Sequence, residues 1–188
     1  MTTWNKQIAN KNFLSPIGFK FVLAKYPKIA YLSQSANIPA INLGVLEQPT
    51  IYGRPLPSDG NITYDPFTMN FLVDENIENY LILHNWMRGL GVPDRFSERR
   101  EFLDKQAKLS YNTEGGDTKF ADATLTILNS NFQSNFQVVF YDIIPTSLSA
   151  LDFNATVDGT EYAAASVTFR YRSYEIQALE GSRNKSLE

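Results

Sequence analysis

The chain has no cysteine and a single histidine, His84, among its 188 residues. Without thiols there is no disulfide framework, no thiolate nucleophile and no Cys-ligated zinc site. One imidazole cannot supply paired-histidine metal ligation, and neither His-Glu-x-x-His nor Gly-x-Ser-x-Gly spacing occurs. No apolar run reaches the roughly 18–20 residues that a membrane-spanning helix requires. Residues 1–12 are polar and carry no apolar signal core. The expectation is a chain made in a cytoplasm and soluble there until it assembles, with no membrane anchor. The sequons Asn61-Ile62-Thr63 and Asn154-Ala155-Thr156 then count as chance. Charge of one sign never accumulates: 17 Lys and Arg stand against 20 Asp and Glu, a formal net charge of −3. That argues against the basic footprint by which nucleic-acid binders neutralise phosphates. No internal repeat or low-complexity tract is present.

The polar residues that remain are explained by local structure. Asp59, Asp65, Asp74 and Glu75 lie close in sequence, but at turns and a helix start, where carboxylates cap and hydrogen-bond. Asp59-Gly60-Asn61 lacks the further spaced oxygen ligands of a calcium loop. Gly89-Leu90-Gly91 follows a helical pattern instead of opening one, so it is no phosphate cradle. Arg95, Arg99 and Arg100 alternate with Asp94, Glu98 and Glu101, as a mixed solvated face does. His84 falls on an amphipathic pattern and reads as a half-buried packing residue. The chain is expected to be no enzyme and to hold no metal and no cofactor.

What the chain does have is aromatic, strand-forming sequence: 13 Phe and 10 Tyr, within 43% hydrophobic residues. Phe19, Phe21 and Leu23 alternate with Lys20, Val22 and Ala24, and residues 29–35 read as a second strand that closes a hairpin with the first. Residues 67–74 place Phe67, Met69, Phe71 and Val73 on one face. Residues 123–129 and 136–142 form a further strand pair. After a break at 144–147, residues 151–157 and 161–176 flank Asp158-Gly159 as another hairpin. One helix is well marked. Asp74 or Asn76 would cap it, with Ile77, Tyr80, Leu81, His84 and Met87 on the face that packs on the sheet. Leu83, Trp86 and Leu90 widen that stripe. Gly89 to Pro93 stops the helix, with a glycine in the left-handed cap.

Residues 37–66 are unusual. They hold Pro39, Pro49, Pro55, Pro57 and Pro66 with Gly44, Gly53 and Gly60, yet also Ile41, Leu43, Val45, Ile51, Tyr52 and Leu56. Prolines delete ladder donors, so this stretch cannot be a run of central strands. It is either an irregular connection packed on its own domain or an arm whose apolar side chains meet a neighbouring subunit. The division expected is a flexible arm at 1–12, one β domain at 13–179 and a flexible tail at 180–188. The domain contains the arm at 37–66 and a polar insertion at 94–122, where 97–109 could form a short helix. The fold class expected is mainly β (α+β), an antiparallel sandwich or barrel with one amphipathic helix outside.

Several segments carry a resemblance. They are Phe13-Leu14-Ser15-Pro16-Ile17-Gly18-Phe19-Lys20-Phe21, Gln34-Ser35-Ala36-Asn37-Ile38-Pro39 and the run Ile62 to Glu75, then Asn79-Tyr80 and Asn85-Trp86-Met87. Ala123 to Leu128, Phe140 to Leu148 and Ala165 to Tyr171 continue the pattern. Together they resemble the tail tube proteins of contractile-tailed bacteriophages and the related tube-initiating proteins of their baseplates. The resemblance implies homo-hexameric rings whose sheets join into a barrel around a channel, with the helix outside. Stacked, such rings form the tube of a virion's contractile tail, through which DNA passes during genome ejection without sequence-specific binding. It implies the tail sheath and baseplate or tail-completion proteins as partners. It does not separate a repeating tube subunit from a baseplate-proximal initiator ring, and 94–122 is longer than a minimal tube subunit needs. A function of another class, a non-enzymatic β-sandwich module binding sugar or protein, shares the aromatic strands and the missing catalytic groups.

Overall fold

The computed structural model describes residues 13–14, 16–26, 32–48, 51, 53, 56–91, 95, 97, 99–101, 119–153 and 162–179, the side chains of 46–48 and 56–59 excepted. In chain order the elements are β1 (Phe19–Leu23), β2 (Ser33–Ala36), β3 (Ile41–Gln48), β4 (Leu56–Tyr64), β5 (Phe67–Leu72), α1 (Glu78–Leu90), β6 (Ala121–Leu128), β7 (Ser134–Leu148), β8 (Ala164–Arg170) and β9 (Ser173–Ala178). Successive side chains of a strand point to opposite faces, and the buried residues follow that period of two. Phe67, Met69 and Phe71 of β5 go inside, as do Ala121, Ala123 and Leu125 of β6 and Ala165, Val167 and Phe169 of β8. The fold is built mostly of antiparallel sheet, as expected. Residues 99–101 are also helical, whereas most of the insertion, the Asp158-Gly159 turn and both chain ends lie outside the described residues.

One seven-stranded sheet runs β1-β6-β7-β8-β5-β2, with β9 also paired to β7. The long strand β7 organises it. Phe136 to Tyr141 pair with Ala178 to Ser173 of β9, and Ile144 to Leu148 pair with Arg170 to Val167 of β8. β8 and β9 thus lie end to end along the same edge of β7, as the two halves of one bent ribbon. At the bend Asp142 takes φ 55, a left-handed conformation that Asp tolerates, and the Arg172 N–H donates to the Tyr141 carbonyl at 3.0 Å. β6 and β1 extend one half of the ribbon, and β5 and β2 extend the other.

Three sequence expectations are corrected here. β1 pairs with β6, about 100 residues later, and β2 pairs with β5, so the two do not form a hairpin. Residues 144–147 do not break the strand. Pro145 stands at a register shift in β7, where its β6 neighbour has already ended, and a bulge or an open edge is where a strand accepts proline. The closing strand is two, β8 and β9, parted at Tyr171 and Arg172.

The core is continuous and aromatic. Phe67 stacks on Phe21 at 5.3 Å between ring centroids and lies 4.8 Å from Phe140 and 5.9 Å from Phe169. Helix α1 closes it with Leu83 and Trp86. The Trp86 ring is fully buried, 5.4 Å from Tyr26 and 6.5 Å from Phe169, and its Nε1–H donates to the Lys119 carbonyl. The helix does not start on an acidic cap. Ile77 is its N-cap at φ 58, and the amide of buried Asn79 ties the turn together. Asn79 Nδ2 donates to the Leu72 carbonyl at 2.8 Å, and its Oδ1 accepts from the Asp74 N–H at 3.2 Å. At the other end Gly91 is extended, not left-handed, and its N–H donates to the Met87 carbonyl. Gly89 is buried inside the helix.

A candidate assembly surface

Strands β3 and β4 form a two-stranded antiparallel sheet of their own, with no ladder to the seven-stranded sheet. This is the Pro-rich stretch. Both strands of a lone ribbon are edges, so Pro57 can sit opposite Glu47 without costing an interior ladder bond. Cross-strand partners share a face. Ile41 pairs with Tyr64 and Leu43 with Ile62, which makes one face apolar, while Asn42 and Thr63 stand on the other. A register shift follows between Leu43 and Val45, where Gly44 alone stands against Gly60 and Asn61. A Cβ added at Gly60 would fall on the Gly44 carbonyl, so the two backbones meet there in a way only glycine allows.

The apolar face has two environments. At the foot of the ribbon, the Tyr64 ring lies 6.0 Å from Tyr171 and 5.6 Å from Tyr174, edge-on to the latter. Further out none of the described residues covers it: Ile41 is 54% exposed, Leu43 59%, Ile62 57% and Val45 69%. Ile51, near the tip, is fully exposed. Leu56 opens β4, and Tyr52 lies outside the described residues. Other uncovered apolar side chains include Phe13 and Ile17 ahead of β1 and Phe132 at the β6–β7 turn. Among the described residues β1, β2 and β9 each have one strand neighbour, so the main sheet keeps open edges.

Two hydroxyls hold the ribbon's feet. Tyr171 donates to the Asp65 carbonyl at 2.7 Å, and Tyr174 donates to the Pro39 carbonyl at 3.0 Å. The Asp65 N–H reaches the Ala40 carbonyl, and Asn42 Nδ2 donates to Asp65 Oδ1 at 3.1 Å. Burial first, and then Tyr174, Asp65 and Tyr64 close by, push the Tyr171 phenol up to about 12. Burial and Tyr64 raise Tyr174 as well. Sequence reasoning named neither tyrosine nor Ile62 and Tyr64 as part of a surface. The alternation of Ile62 and Tyr64 was the available signal.

Of the residues expected to pack the helix on the sheet, Trp86 is buried, and Tyr80 is half-buried with its hydroxyl on the Ser149 carbonyl. Ile77 and Met87 are half-buried. Leu81 is corrected: it is 47% exposed, because the buried stripe runs through Asn79, Leu83, Trp86 and Gly89. His84 is exposed on the outer side. Among the described residues no three His, Asp or Glu side chains converge as metal ligands, and no helix is long and apolar enough to cross a membrane.

Comparison with known proteins identifies the family to which this segregated ribbon and open-edged sheet belong. The model of the phage tail tube protein family matches residues 3–177. The chain belongs to that family. Comparison with curated proteins gave no match. Among solved structures, this tail tube family member is similar to the tube-terminating cap of the anti-feeding prophage at 16% identity and TM-score 0.61, over 95% of this chain and 100% of that one. A chain of the sheath–tube complex of the PVC extracellular contractile injection system gives 16% and 0.58, over 95% and 99%. A chain of the anti-feeding prophage baseplate gives 13% and 0.60, over 91% and 99%. At these identities the likeness establishes the fold shared by this tail tube family member with tube, cap and baseplate proteins.

Proposed function

We propose that this protein is a non-enzymatic structural subunit that forms hexameric rings, stacked into the tube of a phage tail, a conduit for DNA during ejection. The observation that carries the reading is the β3–β4 arm, whose apolar face the described residues leave uncovered beside a body with a closed core. A monomer has no use for such a face; a stacked ring covers it, giving a contact in which each subunit meets a different surface of its neighbour. Ile41, Leu43, Val45, Ile51, Tyr52 and Leu56 are the inter-subunit contacts in this reading, and Ile62 joins them. The open edges of β1, β2 and β9 supply pairing sites within a ring, since a closed barrel removes the edges that a free sheet exposes. Sheath and baseplate or tail-completion proteins are the partners that follow. The particle is the virion, assembled in the host cytoplasm.

Deleting residues 48–54 and bridging the gap with Gly-Ser tests the reading by electron microscopy. The shortened chain is expected to keep a cooperative melt and to lose its tubes. Unimpaired tubes would overturn the role of the arm. With the native chain, long tubes identify a repeating subunit, single rings identify a baseplate-proximal initiator ring, and monomers alone overturn the proposal in favour of a monomeric binding module.

A further inference from the structure

We propose that Tyr171 and Tyr174 are positioning residues for assembly: their hydroxyls clamp the two feet of the β3–β4 arm and fix its angle to the body before a second subunit arrives. The inference rests on the assembly reading above and deepens it. The arm joins the body at two points, Pro39 entering β3 and Asp65 leaving β4, and each point accepts one phenol hydrogen bond, from Tyr174 and Tyr171 respectively. The donors are 135 and 106 residues from their acceptors, so neither bond is a product of local turn geometry. The Tyr64 ring, which belongs to the arm, packs on both tyrosines, and these also meet each other at 5.9 Å between centroids. Behind them is Phe140 of the core, 5.1 Å from Tyr171 and 5.8 Å from Tyr174. The arm's footing is therefore an aromatic socket with a hydrogen bond on each side.

A two-stranded ribbon without a second layer has little rigidity of its own. Left to swing, it would have to be ordered at the moment of docking, and that ordering weakens association. Both bonds act on backbone carbonyls, so they fix position without depending on the side chains of the arm. Removing the hydroxyls while keeping the rings leaves the packing intact and frees the hinge.

The experiment uses the full chain, which lacks cysteine, so two introduced thiols carry spin labels without competition. Val45→Cys on the arm and Lys20→Cys on β1 report the arm's position in the monomer, below the assembly threshold. The expected result is a narrow distance distribution that broadens about twofold in Tyr171→Phe/Tyr174→Phe, in keeping with release of a clamped element. In the same variant without labels, the threshold concentration for tubes should rise roughly tenfold, the scale of one to two ordinary hydrogen bonds. Tyr141→Phe, which removes a bond to Glu175 away from the arm, should change neither quantity. A narrow distribution and a native threshold in the double Phe variant would overturn the clamp. A double variant that loses its cooperative melt would overturn it too, making the hydroxyls general structural bonds. If the arm-deleted chain still forms tubes, the failure lies with the assembly reading. If deletion abolishes tubes but the double Phe chain assembles as the native one does, the clamp alone fails.

Discussion

The body and the arm of this chain obey different rules. In the body, apolar side chains from β1, β5, β6, β7, β8 and α1 converge on one core, and among the described residues no buried side-chain polar atom lacks a partner. The arm has two strands, no second layer among the described residues, and an apolar face that is more than half exposed along Ile41, Leu43, Val45 and Ile62. The body's order comes from its own burial, which is the dominant favourable contribution in folding. The arm is tied to the body by the tyrosine socket at its base, and in the reading proposed above its apolar face is covered by a neighbouring subunit.

Trp86 is the hardest test of the body. Its ring is fully buried between Tyr26 and Phe169, and its N–H is bonded to Lys119. Trp86→Ala is expected to cost about 3–5 kcal/mol, a large share of a marginal domain's stability. Urea denaturation followed by circular dichroism measures it. A midpoint that barely moves would mean that the helix contributes little to the body and that the contrast with the arm is drawn in the wrong place.

Alkaline pH addresses the junction. The Tyr171 phenol is held up from 10.0 to about 12, so between those values the folded chain keeps a proton that the unfolded chain has lost. The folded state then binds more protons, and stability falls as pH rises. The contribution is fully present below pH 10 and is lost as pH passes through about 12. Tyr171→Phe should show a shallower loss of melting temperature between pH 9.5 and 11.5 than the native chain, on the scale of ~1–2 pK units for one group. Equal slopes would show that Tyr171 is not held in its socket.

How far the sequence showed all this follows from which signals are local. Alternation marked β5, β6 and β8 and the faces they bury, because a period of two is written within each strand. Partners are not written there. The face that Phe19 to Leu23 buries is legible, but its pairing with β6 depends on closure across the chain. The prolines correctly kept 37–66 out of the central sheet, yet hid a ribbon, because a lone pair of edge strands tolerates what a sheet interior does not. On α1 the apolar residues pointed to Leu81, whereas the buried stripe includes polar Asn79, whose place depends on bonds to Leu72 and Asp74. The tyrosine socket was the least legible feature of the site. Tyr64, Tyr171 and Tyr174 each look like ordinary strand aromatics until the fold brings them together.

The smallest effect on the body should come from Gly60→Ala, which makes it the sharpest probe of the arm. An added methyl group at this position lands on the Gly44 carbonyl of the facing strand, and backbone cannot step aside as a flexible side chain can. The register shift between Leu43 and Val45 must then open or move, and with it the outer half of the apolar face. Among the described residues no core side chain lies on β3 or β4, so the body has no reason to respond. The expected outcome is an unfolding free energy within about 0.5 kcal/mol of native, as for a surface change away from core and caps, together with a loss of tubes. Gly44→Ala is the milder partner, since its Cβ would approach the Asn61 carbonyl only to 3.4 Å, and it should assemble nearly as well as the native chain. If Gly60→Ala lowers the stability of the body by several times that amount, arm and body fold as one unit. If it assembles normally, the outer half of the arm is not where subunits meet.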